Sequence, residues 1–138
     1  MATSAQFTAQ PLLEMTNYST SDTSLTAPTN FVTIASAPTA AAANGVGKRI
    51  LKVSACTAAT NAAATLRFWL TKDNGTTKWL ICEKVLAANT ITAGSSAALR
   101  IEIPELNGLI LPGGTLYAIY ASQSISTQVN YFVESGAL

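Results

Sequence analysis

From about residue 30 onward the chain breaks into short apolar runs separated by turn residues, at the interval expected of all-β sandwiches and barrels. Residues 31–36 form the first run. Residues 37–47 carry Pro38, an alanine run and Asn44-Gly45-Val46-Gly47; the alanines favour a helical turn, and the proline and glycines limit it to that. Residues 48–57 alternate, with Leu51, Val53 and Ala55 on one side and Lys52, Ser54 and Cys56 on the other. Residues 64–71 alternate more clearly: Leu66, Phe68 and Leu70 face one way, and Thr65, Arg67, Trp69 and Thr71 the other. Lys72-Asp73-Asn74-Gly75-Thr76-Thr77 is the strongest turn signal, because Asn-Gly supplies the positive φ of a tight hairpin. It predicts antiparallel pairing of 64–71 with 78–86.

In that return strand Trp79, Ile81 and Val85 share a side with Glu83, opposite Leu80, Cys82, Lys84 and Leu86. Both faces are largely apolar, which predicts a central strand under a covered surface or a subunit interface. Residues 89–96 are a polar turn, and 99–103 alternate as a half-exposed strand ending at Pro104. Residues 104–114 read as a loop whose Leu109, Ile110 and Leu111 plug one end of the core. Residues 115–121 and 127–135 are the last two strands, and no helix of ten residues or more is visible. The expected fold class is all-β: an antiparallel two-sheet sandwich, jelly-roll-like, over 29–138.

Residues 1–28 show no sustained period, only Phe7, Leu12, Leu13, Met15, Tyr18 and Leu25 in a Thr/Ser/Ala background. Such a segment cannot bury enough apolar surface alone to offset its ordering entropy. It is expected to be an extended arm ordered mainly by a neighbour, with a frayed terminus as the plainer alternative. Phe7, Leu12, Leu13 and Tyr18, with Trp69 and Trp79 of the hairpin, are the expected partner contacts.

Composition turns these readings toward assembly. Alanine, threonine and serine number 24, 19 and 12 of 138 residues, only 11% of the chain is charged, and there is no histidine. An ordinary domain carries about 25% charged residues, so much of this surface is neutral or covered. Eight Lys and Arg against seven Asp and Glu leave a net charge of +1, which gives no field to steer nucleic acid. No apolar run approaches the length of a membrane span, and residues 1–10 have neither the basic nor the apolar region of an export signal. A soluble protein made without such a signal is expected, with no membrane partner.

Candidate chemistry is sparse. Without histidine, the usual base for a serine or cysteine nucleophile is absent, and no serine sits in GxSxG or SxxK. Glu83, Glu102, Glu105, Glu134 and Asp73 are the acids available to glycoside chemistry, and solvated or locally paired carboxylates are the simpler reading. They form no calcium loop, and Cys56 and Cys82 belong to no metal-ligand cluster. The two thiols are expected to stay separate, a disulfide requiring that their strands be neighbours. Lys48, Arg49 and Lys52 read as a solvated strand edge. Trp69, Trp79, Tyr117, Tyr120 and Tyr131 could line a sugar-binding face, but strand positions favour core or interface packing. The expectation is no enzyme, no cofactor and no metal.

The body carries ACTAATNAAATLRFWLTKDNGTTKWLI, LAANTITAGSS, IPELNGLILPGGTLYAIYAS and a terminal NYFVESGAL. Over about residues 45–138 this layout resembles small all-β virion proteins of tailed bacteriophages, in particular capsid decoration (cement) proteins. The resemblance implies a jelly-roll-like sandwich that assembles as a homotrimer on the capsid exterior and binds the major capsid protein. The alternative that the same layout implies is a tail or baseplate component. A receptor- or glycan-binding module would use loops such as 89–96 or 122–126, and a carbohydrate-active enzyme would need two converging acids.

Overall fold

A computed structural model describes residues 9–38, 47–57, 59–92, 94 and 98–138. Its strands are β1 (Ala9–Tyr18), β2 (Val32–Ser36), β3 (Gly47–Thr57), β4 (Ala64–Thr71), β5 (Trp79–Leu86), β6 (Arg100–Glu102), β7 (Ile110–Pro112), β8 (Ala118–Gln123) and β9 (Val129–Ala137). Among the described residues the only helical element is a single 3-10 turn, Pro104–Leu106.

The pairing is that of a ribbon folded over on itself. β4 pairs with β5, β3 with β6 and β7, β2 with β8, and β1 with β9, all antiparallel. Successive rungs fall in opposite sheets, and rolling the ribbon brings β9 beside β3 and β8 beside β4. The first sheet runs β1-β9-β3-β6, with β7 also on β3, and the second runs β2-β8-β4-β5. Two antiparallel sheets connected in this order make a jelly roll. The expected all-β sandwich is therefore what the chain adopts.

The core lies between the sheets and holds Ile34, Ile50, Val53, Leu66, Phe68, Leu86, Ile103, Leu106, Leu111, Ile119, Val129, Tyr131 and Val133. Phe68 and Tyr131 meet edge to face, with ring centroids 6.0 Å apart, across the two layers. The Asn74-Gly75 hairpin forms as expected, with φ of 58° and 86° at the two residues.

Four expectations are corrected. Leu51 does not share the core face with Val53, because a bulge between Ile50 and Lys52 shifts the phase and leaves Leu51 exposed. Of the expected plug, Leu111 is buried but Ile110 is exposed, since 110–112 is a strand in which neighbours point apart. β5 is not central: it is an edge of the second sheet, with Trp79, Leu80 and Val85 exposed.

The fourth correction concerns the arm. Residues 9–18 are extended as expected, yet the chain's own β9 orders them, in register from Ala9 opposite Ala137 to Tyr18 opposite Val129. A charge takes a place where an apolar residue would have announced the strand. Glu14 lies opposite Val133 and receives Lys48 Nζ at 2.6 Å. Pro11 adjoins an irregularity in the pairing, a position open to proline on an edge strand.

Between β1 and β2 the Asp22 carboxylate accepts the N–H groups of Ser24, Thr29 and Asn30 at 2.8, 2.8 and 2.9 Å, closing the connection into a compact loop. The Asn30 bond contributes most to holding the Asp22 pKa below its ordinary value.

Candidate functional site

The side chains expected to touch partners separate into four environments. Phe7 lies outside the described residues. Leu12 and Leu13 are about half exposed on β1, whereas Tyr18 packs against the core. Trp69 is corrected: at 1% exposure it has no surface to offer, because it lies with Ala118 and Tyr120 under Phe31 on the outer side of the second sheet. Its indole N–H donates to Ser122 Oγ at 2.9 Å. Phe31 stacks on Tyr120 at 4.4 Å, and Lys78 Nζ stands 4.7 Å above the Phe31 ring. Trp79 remains 44% exposed.

The outer face of the first sheet is a grid set by strand register. Leu13, Glu134 and Lys52 form one row, Met15, Phe132 and Ser54 the next, and Asn17, Asn130 and Cys56 the third. Arg100 extends the third row, lies over Phe132 with its guanidinium carbon 5.4 Å from the ring centroid, and donates to Ser54 Oγ. Leu13 and Met15 are 52% and 69% exposed, so this face mixes apolar side chains with neutral polar ones and with the charges of Lys52, Glu134 and Arg100.

Three of the five acids are held in ion pairs within the chain. Glu83 meets Arg67 at 3.0 Å, Glu102 meets Lys52 at 3.5 Å, and Glu105 meets Lys84. Asp73 accepts from the Thr71 hydroxyl and the Thr77 N–H, which tie down its hairpin and lower its pKa, the Thr77 bond most. Among the described residues no three His, Cys, Asp or Glu side chains gather at a metal-binding distance. Cys56 and Cys82 are free and lie in opposite sheets. Burial pushes the Cys82 thiol up to about 11, with nearby Glu105 adding to it.

At one end of the sandwich the β4–β5 turn meets the approach to β8. Leu70, Lys72, Trp79 and Tyr117 line a hollow of about 180 Å³ there. A second hollow of about 320 Å³ lies on the outer side of the second sheet, where Thr33, Ser36, Asn74 and Thr115 surround Ala118 and Tyr120.

No family model and no curated protein matches the chain. One solved structure, that of the infectious bursal disease virus Gt strain, aligns over 93% of this chain with 12% identity and a TM-score of 0.32. The chain spans 30% of that chain's length. A superposition of that quality bears on neither fold nor role. No helix among the described residues is long and apolar enough to cross a membrane.

Three of the five aromatics weighed for a sugar face, Trp69, Tyr120 and Tyr131, are buried, while Trp79 and Tyr117 share the end hollow. Alternation placed Trp69 on the outer side correctly. It gave no sign that Phe31 would cover it, because that contact depends on the order of the strands.

Proposed function

We propose that the protein is a structural protein of a virus particle, a capsid decoration (cement) protein of a tailed bacteriophage that binds the outer surface of the head and stabilises the major capsid lattice. The layout of residues 45–138 supports the class. The observation that carries the reading is the placement of exposed apolar side chains. Among the described residues, six of the ten large ones lie on β1 and β5: Leu12, Leu13, Met15, Trp79, Leu80 and Val85.

These strands are free edges of different sheets. β1 packs beside β2 on one flank, and β5 lies beside the 3-10 turn on the other. Edge strands of a monomer are ordinarily defended by charge. Here Glu14, Glu83 and Lys84 are neutralised within the chain by Lys48, Arg67 and Glu105. Two unlike flanks on opposite sides suit a heterologous contact, which closes into a ring when the rotation permits. A homotrimer joined β1 to β5 would leave the outer grid of the first sheet, with Leu13, Met15 and Phe132, to seat on the major capsid protein.

Stabilisation then follows from mass action. A protein that binds the mature lattice in preference to free capsid subunits shifts the equilibrium toward the shell, and many copies make a modest affinity at each site sufficient. Purified protein should re-bind heads that lack it and raise the temperature at which they rupture. Failure to bind heads would end this reading.

A further inference from the structure

We propose that the hollow on the outer side of the second sheet, beside the hydroxyl of Tyr120, is a binding site for an uncharged saccharide. It lies on the face turned away from the first-sheet grid, so it does not depend on how the protein sits on a particle. Strand register brings its walls to one face. Tyr120 stands opposite Thr33 and Ala118 opposite Ser36, across β8 and β2. The irregularity between Thr33 and Ala35 turns both hydroxyl residues outward while Ile34 and Ala35 enter the core. Asn74 of the β4–β5 turn and Thr115 close the sides around about 320 Å³, a volume at the small end of ligand sites of about 300–1,000 Å³.

Tyr120 supplies the observation that points to a ligand. Its side chain is covered, at 5% exposure, and Phe31 stacks on its ring. Its hydroxyl nevertheless has no hydrogen-bond partner among the described residues and is not sealed from the surface. A buried phenol ordinarily finds a partner inside the protein. This one is left to what enters the hollow. Burial, and after it the Asp73 carboxylate, raises the Tyr120 pKa, so the hydroxyl stays protonated at neutral pH and can donate as well as accept.

The other walls select the class of ligand. The side chains of Thr33, Ser36 and Asn74 are likewise without partners among the described residues. Each can both donate and accept, which matches the hydroxyl rim of a sugar. Ala118 keeps the floor low enough for a C–H face to approach the sheet. No charged side chain lines the hollow. Asp73 acts on Tyr120 from the turn and opposes a second carboxylate, while Lys78 Nζ is engaged by the Gly75 carbonyl at 2.7 Å. The frame is set before a ligand arrives: Asn74 and Gly75 adopt positive φ, and a Cβ on Gly75 would come within 2.9 Å of the phenol oxygen, so turn and phenol hold each other in place.

The isotope-labelled full chain is titrated with the methyl glycosides of glucose, galactose, mannose and N-acetylglucosamine, with glucuronate and galacturonate as the charged arm. The expected result is a saturable shift of the backbone amides of Thr33, Ser36, Asn74 and Ala118 for at least one neutral sugar, and a weaker response or none to the uronates. Tyr120→Phe keeps the stacked ring and removes only the hydroxyl. It should weaken the binding about fivefold, the scale of one hydrogen bond. Its urea midpoint should be no lower than that of the parent chain, because no partner inside the protein is lost. Asn74→Gly, which accepts the positive φ, should also weaken the binding about fivefold. No saturable shift up to about 50 mM of any neutral sugar, a range that covers millimolar affinity, overturns the proposal. So does equal binding of the uronates, or binding indifferent to Tyr120→Phe. A midpoint that falls in Tyr120→Phe would reveal an internal partner for the hydroxyl and overturn it as well.

Discussion

Gln123 gathers four side-chain hydrogen bonds in the interior. It is fully buried, and its amide nitrogen lies within 3.2, 3.0 and 2.9 Å of the carbonyls of Tyr18, Ile125 and Thr127. Its carbonyl accepts the Tyr131 hydroxyl at 2.9 Å. One side chain thus ties β8 of the second sheet to β9 and the end of β1 in the first. Gln123→Leu strands a phenol and several carbonyls in the interior, and should cost about 2–4 kcal/mol in equilibrium unfolding. A loss below about 0.5 kcal/mol would show that these groups find other partners. In the sequence Gln123 was one letter of a Ser/Gln-rich connection, because a buried amide leaves no periodic trace. The Asn74-Gly75 turn was legible for the opposite reason: its backbone requirement is local. Gly75→Ala, forced to hold a φ of 86° with its methyl against Tyr120, should destabilise by about 1–3 kcal/mol.

At the scale of elements, alternation located β2, β3, β4, β5 and β9 within a residue or two and β8 within three, since each has at least one face against the core. β1 and β7 escaped. β7 has three residues, too few for a period, and β1 carries Glu14 and Thr16 where the core-side signal would lie. The pairing of β1 with β9 changes what a truncation should do. Removing residues 1–18 deprives β9 of a neighbour and Lys48 of Glu14, so the remaining sandwich should unfold at a lower urea concentration while keeping a β-type circular dichroism spectrum. An unchanged midpoint would mean that β1 adds nothing to the fold of its own chain. The outer rows of the first sheet were equally hidden, because they depend on register across strands far apart in sequence.

For the whole molecule, two sheets and the absence of long helices could be read from strand spacing, whereas strand order could not. The ribbon's roll is set by which faces bury together, and no local pattern encodes that. The same burial shapes the response to pH. Below about pH 9.0 Cys82 is a neutral thiol in folded and unfolded chains alike, and its contribution to stability is present in full. As pH rises toward about 11 the unfolded chain ionises first and that contribution is lost, and Tyr131, pushed up by burial, adds a loss in the same direction above its ordinary 10.0. In acid the sign reverses. Asp22, held below its ordinary 3.8 chiefly by the Asn30 N–H, contributes above that value and ceases to as pH falls through its folded pKa. Thermal unfolding from pH 3 to 11 should therefore show a plateau near neutrality with both limbs falling, on the scale of ordinary carboxylate and phenol pKa values of about 4 and about 10. A midpoint still rising above about pH 10 would contradict the alkaline limb.

In the proposed assembly the edges reach beyond the single chain. β1 and β5 expose apolar side chains on opposite flanks, and Val85, 78% exposed, is the most open of them. Val85→Glu should leave the fold intact and convert the proposed trimer to monomers in sedimentation equilibrium; a trimer of unaltered mass would place the subunit contact elsewhere. The most direct measurement remains the addition of purified protein to mature phage heads that lack it. The account predicts saturable binding, in copies that are multiples of three, together with a higher rupture temperature of the heads. No binding, or binding that leaves the rupture temperature unchanged, would contradict it.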